Sequence, residues 1–320
     1  MAAQPMSGLS RRGFLGLGGL GLLVAGCGST VAEQRPGRTV TDKFGQVTIP
    51  TEPRTIASVG RTDHDALLAL GIVPTSVYQF VPTMRRGVGV WAEPKLGAVN
   101  PALVTAPLSF EKIAALRPDL ILDVQSSGDP TEYRTLSAIA PTIGLPPNTA
   151  PNTVSWQDST RLISTAVGRA ADGDKLVTDT EQLLERTKSA NPSLHGRTIS
   201  ILLCGAGEID AYTTRDVRTQ LAVALGMVPS PFVLRLDQSR YYAALSAELV
   251  NDSTADVILV LTRTGLSEAE TLNQYPMLAS PALRDRVVVV EDFNVSLALA
   301  CASVLSIPYA IAGLVPLLIR

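Results

Sequence analysis

Short strand-like runs alternate with helical patterns along most of the chain. Residues 53–59, 75–80, 119–122, 198–204, 257–261 and 287–290 read as strands, and the last four are dense in Val, Ile and Leu, as in strands buried on both faces. Residues 40–50 read as a small hairpin turning at Gly45. Helices are expected at 65–71, closing on Gly71, and at 133–140, 155–167, 171–190 and 218–225. In the longest of these, Leu176, Val177, Leu183 and Leu184 form one apolar stripe, and Asn191-Pro192 ends it. At about 1.5 Å per residue it extends about 30 Å, enough to cross from one lobe to the next. Residues 81–107 form an irregular loop punctuated by Pro and Gly, and 141–152 a Pro-rich connection. Strands interleaved with helices predict an α/β fold with mainly parallel sheets.

One pattern occurs twice. Ser109, Glu111, Asp119, Ile121 and Leu122 return at the same offsets as Ser246, Glu248, Asp256, Ile258 and Leu259. Each copy reads as a serine-capped short helix presenting a Glu, then a turn and a buried strand. One copy in each half predicts two related α/β lobes, and the single long helix at 171–190 is long enough to join them. At 320 residues the chain is long for one core.

Composition narrows the function. The chain is 46% hydrophobic and 18% charged, which is globular rather than disordered, and its net charge of −2 lacks the basic footprint of nucleic-acid binding. The N-terminus reads as a leader. Ser10-Arg11-Arg12-Gly13-Phe14-Leu15 resembles a twin-arginine export signal, residues 14–26 are apolar but too short to span a bilayer, and Leu23-Val24-Ala25-Gly26-Cys27 is a lipobox. Cleavage before Cys27 and acylation of its thiol would leave the protein anchored on the outer face of the cytoplasmic membrane. The expected division is a signal peptide at 1–26, a tether at 27–38, an N-terminal lobe at 39–168, a linker helix at 169–192 and a C-terminal lobe at 193–320. The apolar segment 295–319 carries Ser296, Ser303, Ser306, Pro308 and Pro316 and reads as a kinked core helix, not a membrane span. Cys204 and Cys301 read as buried thiols.

No G-x-S-x-G, Walker A, H-E-x-x-H or C-x-x-C motif is present, so no enzyme is expected and a hydrolase has no visible nucleophile–base pair. The glycine patterns starting at Gly16 and Gly87 lack a strand–turn–helix setting. His64 and His195 are the only histidines, too few for a His-rich metal site. No intrinsic cofactor or metal is expected.

Taken in order, the signal, the lipobox, Ile49-Pro-Thr-Glu-Pro-Arg-Thr-Ile56, Ala66-Leu-Leu-Ala-Leu-Gly71, Ser109-Phe-Glu-Lys-Ile113 and Pro118-Asp-Leu-Ile121 resemble the substrate-binding lipoproteins of ABC importers for ferric siderophores, haem and cobalamin. The resemblance covers nearly all of residues 38–320. It implies a monomer that binds ligand between its lobes, closes little, and docks an acid from each lobe onto a permease dimer with its ATPase. By position those acids are Glu111 and Glu248. A two-fold permease offers the same basic socket twice, so a monomer must offer the same acid twice.

A ferric siderophore is bulky and often anionic, and asks for Arg and aromatic contacts. Candidates in the N-terminal lobe are Arg61, Tyr78, Arg85, Arg86, Trp91 and Gln125. In the C-terminal lobe they are Tyr212, Arg215, Arg235, Arg240, Tyr241, Tyr242 and Arg263. Strand ends favour Arg61, Gln125 and Arg263. Haem would require an axial Tyr or His, from Tyr78, Tyr241 or His64. A ligand-free lipoprotein that holds a cell-envelope partner is the alternative from another class.

Overall fold

The computed structural model describes residues 37–49, 52–150 and 152–319. The leader, Cys27 and the tether up to residue 36 lie outside the described residues. The described residues form one compact unit.

The N-terminal lobe begins with a hairpin of β1 (Arg38–Asp42) and β2 (Gly45–Ile49). Its turn takes Gly45 to φ 136°, and Asp42 ties it down by accepting from the Phe44, Gly45 and Gly144 N–H groups. Next come β3 (Ile56–Ser58), α1 (Asp63–Ala69), β4 (Ser76–Tyr78), β5 (Ala102–Val104), α2 (Phe110–Ala115), β6 (Leu120–Leu122), α3 (Pro130–Ser137) and β7 (Thr142–Ile143). The strands form a wholly parallel sheet in the order β5-β4-β3-β6-β7. Alternation along the strands sorts the core. Ile56, Leu120 and Leu122 pack with Leu67 of α1, while Ala57 and Ile121 pack with Ile113 of α2 and Leu136 of α3.

α4 (Trp156–Ala166) and α5 (Ala170–Ala190) then lie against each other. Gly173 allows this approach, because a Cβ there would fall 1.9 Å from the Ser164 hydroxyl. Ile163 of α4 belongs to the N-terminal core, whereas Trp156, Val177 and Leu184 belong to that of the other lobe.

The C-terminal lobe contains β8 (Thr198–Gly205), β9 (Glu208–Tyr212), α6 (Val217–Ala224), β10 (Val228–Pro229), α7 (Pro231–Arg235), β11 (Tyr242–Leu245), α8 (Ala247–Val250), β12 (Val257–Thr262), α9 (Glu268–Gln274), β13 (Val287–Val290), α10 (Phe293–Cys301) and α11 (Ser306–Leu318). Its sheet runs β11-β9-β8-β12-β13, with β10 also beside β8. β8, β10, β12 and β13 are parallel, but β9 and β11 are antiparallel. This hairpin extension was not expected. Its turn is made by Ala206 (φ 55°) and Gly207 (φ 81°), a two-residue reversal without the usual Asn-Gly signature.

The apolar C-terminal segment is two helices rather than one kinked helix. The chain breaks at Ala302, in the left-handed region at φ 40°, and Ser303 and Ser306 close the corner through hydrogen bonds. No helix among the described residues is long and apolar enough to cross a membrane. Cys204 and Cys301 are buried and unpaired, and burial pushes both thiols up to about 12.

Candidate functional site

Both halves of the repeat build the same local frame. Ser109 caps α2 by accepting from the Lys112 N–H, and Ser246 caps α8 by accepting from the Leu249 N–H, each at 3.4 Å. Asp119 accepts from the Arg54 and Thr55 N–H groups at the start of β3, at 2.8 and 2.9 Å. Asp256 accepts from the Thr198 N–H and hydroxyl at the start of β8, both at 2.8 Å. In each lobe the repeated Asp therefore anchors the neighbouring parallel strand. Glu111 and Glu248 point to no such task, since both are exposed in the first turns of their helices.

The opposite, carboxyl ends of the strands carry the cavity. Arg61 follows β3 and Asp123 follows β6. From the other lobe come Arg263, after β12, and Tyr212, on the antiparallel strand β9. The main compartment has a volume of about 580 Å³. Its cations are Arg61, Arg215, Arg218 and Arg263, and its aromatic walls are Phe80, Tyr212, Tyr241, Tyr242 and Phe293. A second compartment of about 360 Å³ adjoins it, and Arg61, Phe80 and Asn152 line both.

The cations are held in different ways. Arg218 sits at the start of α6, 2.8 Å from Asp216 Oδ2, with its guanidinium carbon 4.1 Å from the Tyr212 ring centre. Asp216 also caps α6, accepting from the Arg218 N–H at 2.9 Å. The Arg218 Nε is buried and has no hydrogen-bond partner among the described residues. Arg263 lies 3.3 Å from Asp210, whose carboxyl is raised by burial against the pull of Arg263. Gly205 gives the Arg263 stem its room, because a Cβ there would come within 2.2 Å of Arg263 Cδ. Arg215 donates through Nε to the Gln238 carbonyl at 2.7 Å. Arg61 lies 5.3 Å from the Phe80 ring centre, and its buried Nε has no partner among the described residues. Burial lifts the Tyr212 phenol to about 12, so it is a neutral donor at physiological pH. Tyr241 and Tyr242 stand with ring centres 4.9 Å apart, both partly open to solvent. Such a surface can hold an anionic ligand with flat or apolar parts.

Of the residues singled out from the sequence, Arg61, Tyr212, Arg215, Tyr241, Tyr242 and Arg263 line the main compartment, and Tyr78 and Gln125 line the second. Five lie outside both. Arg86 staples its own loop, donating to the Gly97 and Val99 carbonyls and to Asn100. Trp91 is half-buried between the lobes, donating to Asp65 at 2.9 Å and packing on Tyr309. Arg85, Arg235 and Arg240 are exposed and line neither compartment. His64 is buried beside Asp65, lines neither compartment, and is kept neutral by burial. Arg218, Phe80, Phe293, Asp123 and Glu132 were not singled out. Arg218 carried one usable signal, its place two residues after a helix-capping Asp at a strand–helix junction. Among the described residues no group of three or more His, Cys, Asp or Glu side chains is placed to hold a metal ion.

The comparisons agree with this architecture. Residues 56–294 match the family model described as periplasmic binding protein. YfiY of Bacillus subtilis (strain 168), named a probable siderophore-binding lipoprotein, is 27% identical over 239 residues, covering 70% of this chain and 69% of that one. A periplasmic solute binding protein of Mycobacterium smegmatis superposes with TM-score 0.78 at 27% identity, covering 88% of this chain and 99% of the other. Streptococcus pneumoniae TIGR4 PiaA in complex with ferrichrome superposes with TM-score 0.70 at 28% identity, covering 88% and 97%.

Proposed function

The chain belongs to the periplasmic binding protein family, the non-enzymatic substrate-binding proteins of ABC transporters, and we propose that it captures a ferric siderophore between its lobes and delivers it to a permease dimer with its ATPase. The observation that carries this reading is the main compartment, where four arginines and five aromatic side chains face one space of about 580 Å³. A bare ferric ion would need a cluster of hard oxygen ligands; a chelated ion needs only a surface complementary to the chelate. The ferrichrome complex of PiaA and the siderophore-binding name of YfiY support the same cargo class.

Export and anchoring complete the proposal. YfiY is named a lipoprotein, and the twin-arginine signal at 1–26, followed by an acylated Cys27, would place this protein, lipid-anchored, on the outer face of the cytoplasmic membrane. Exposed Glu111 and Glu248 are proposed as the permease-docking pair. For haem, Tyr241 is the axial candidate that lines the main compartment, while Tyr78 lines the second and His64 lines neither.

The test is a thermal-shift and calorimetric screen of the purified protein against ferrichrome, ferrioxamine B, ferric citrate, haem and cobalamin. A ferric chelate at about 100 times its Kd would stabilise the fold by about 2.7 kcal/mol. A response to haem or cobalamin alone, or to no compound, would overturn the siderophore reading.

A further inference from the structure

The second compartment is unlike the first. Its lining holds Asp123 and Glu132, and Arg61 on the boundary is its one cation among the described residues. Asp123 directly follows β6, and its side chain is 1% exposed. By hydrogen-bond geometry neither carboxylate oxygen has a partner among the described residues, although the nearby Ser126 hydroxyl offsets part of the upward push on the carboxyl. The nearby Asp63 shows what a settled buried carboxylate looks like here: it accepts from the Val124 and Gln125 N–H groups at 2.7 and 2.9 Å. The Ser126 hydroxyl donates to the Asp123 carbonyl, at 2.9 Å. No ion pair joins Arg61 to Asp123 or Glu132 among the described residues.

A buried carboxyl without a donor is costly, and burial together with the charges of Asp63 and Glu132 pushes Asp123 well up from its ordinary range. Glu132 on α3 is half-buried and raised for the same first reason, burial. The same lining includes the apolar side chains of Val59, Phe80, Pro107 and Leu108, together with polar Gln125, Ser126, Ser127 and Asn152. Apolar surface beside two carboxyl groups is complementary to an alkyl stem that ends in a hydrogen-bond-donating cation.

We propose that this compartment is a subsite for an alkylammonium arm of the ligand, with Asp123 and Glu132 receiving the ammonium while the arginine-lined compartment holds the anionic chelate. The cargo is then a ferric chelate that carries a free amine. The cavity is polarised along its length, and a ligand of the opposite charge order would meet like charges at both ends. This rests on the receptor reading above for the chelate, but not for the ammonium.

Two arms test it separately. In the first, the ¹⁵N-labelled protein is titrated with n-pentylammonium and with N-pentylacetamide, a neutral analogue with the same stem. Pentylammonium is expected to shift the Gln125, Ser126 and Ser127 amide signals, the acetamide is not, and Asp123→Asn and Glu132→Gln are each expected to abolish the response. Equal responses to the two probes, or a response that survives both substitutions, would overturn the subsite. In the second arm, affinities are measured for ferrioxamine B, a ferric trihydroxamate with one protonated amine, and for its N-acetylated form. The free amine is expected to bind about tenfold more tightly, the order expected of one partly buried charge pair, with the ratio collapsing in Glu132→Gln. Equal binding of both forms overturns the subsite and leaves the receptor reading standing. Binding of neither chelate, with pentylammonium still bound, overturns the trihydroxamate cargo and leaves the subsite standing.

Discussion

Asp65 on α1 and Ser303, in the corner between α10 and α11, meet across the two lobes, with the serine hydroxyl donating to the carboxylate. The same carboxylate oxygen accepts from Trp91 Nε1 at 2.9 Å. Ser303 Oγ in turn accepts from the Leu305 and Ser306 N–H groups, so a buried charge of one lobe fastens the turn that starts the last helix of the other. Trp91 and Leu305 pack into the surrounding apolar clusters of both lobes. Ser303→Ala removes a donor to a buried charge and is expected to cost about 1.5–3 kcal/mol of stability. Chemical denaturation measures it. Unchanged stability would mean that Asp65 is satisfied without Ser303 and that the lobes are held by apolar packing alone.

The buried Asp63 gives a pH dependence of definite sign. Burial raises its carboxyl to about 6, only partly opposed by the Val124 and Gln125 N–H groups and by Arg61. An unfolded Asp titrates near about 3.9. Between those values the folded state holds more protons, so this contribution is present at pH 4.5 and is lost as the pH rises through 6. Asp63→Asn cannot titrate. The stability gap between wild type and Asp63→Asn is expected to be about 2 kcal/mol wider at pH 4.5 than at pH 7. Comparison of the pair separates this effect from His64, which burial keeps neutral and which acts in the opposite direction on acidification. A gap that narrows on acidification would show that Asp63 is a stabilised anion.

What was legible in the sequence was whatever depends on local pattern. The strands at 198–204, 257–261 and 287–290 lie within a residue of β8, β12 and β13, because continuous apolar runs leave few alternatives. The helices at 155–167 and 171–190 were equally plain from capping and periodicity. β9 was missed because Glu208 and Asp210 interrupt Glu208–Tyr212, and β11 because Tyr242–Leu245 is only four residues long, half of them Ala, and is an edge strand held only by pairing with β9. The cavity was half legible. Arg61 and Arg263 follow predicted strand ends, which is where α/β folds place ligands. Trp91 carries no mark that its indole turns inward to Asp65, since that depends on a partner elsewhere in the chain. Asp123 follows a predicted strand as Arg61 does, but its lack of partners is visible only in three dimensions.

The repeat also looks different with the structure in hand. Its Ser and Asp are explained by capping and by anchoring strand starts, which leaves Glu111 and Glu248 as the shared residues without a structural task. The Ser109 hydroxyl donates to Glu111 at 3.2 Å, an exposed contact of little weight. Replacing both acids by Arg is expected to change stability by less than about 0.5 kcal/mol and to leave chelate affinity as it is. Iron uptake in cells lacking the native protein should nevertheless fail, because two arginines would face the basic sockets of the permease. Uptake at the wild-type rate would remove the docking assignment.

Charge placement separates the arginines that line the main compartment from those that do not. Arg61 has a buried Nε without a partner, so a ligand anion can satisfy it without breaking an existing bond. Arg61→Gln is expected to weaken an anionic ferric chelate at least about tenfold, or about 1.4 kcal/mol, with little change in the stability of the free protein. Arg218→Ala should weaken binding as well, but it also strands buried Asp216, and loss of one member of a buried ion pair costs about 3–5 kcal/mol. The two variants are therefore told apart by the melting temperature of the unliganded protein. Arg85→Ala, Arg235→Ala and Arg240→Ala, all exposed and lining neither compartment, should leave both quantities unchanged. Calorimetric titration with each variant decides the matter, and a loss of affinity in that exposed trio comparable to Arg61→Gln would place the chelate on a different surface.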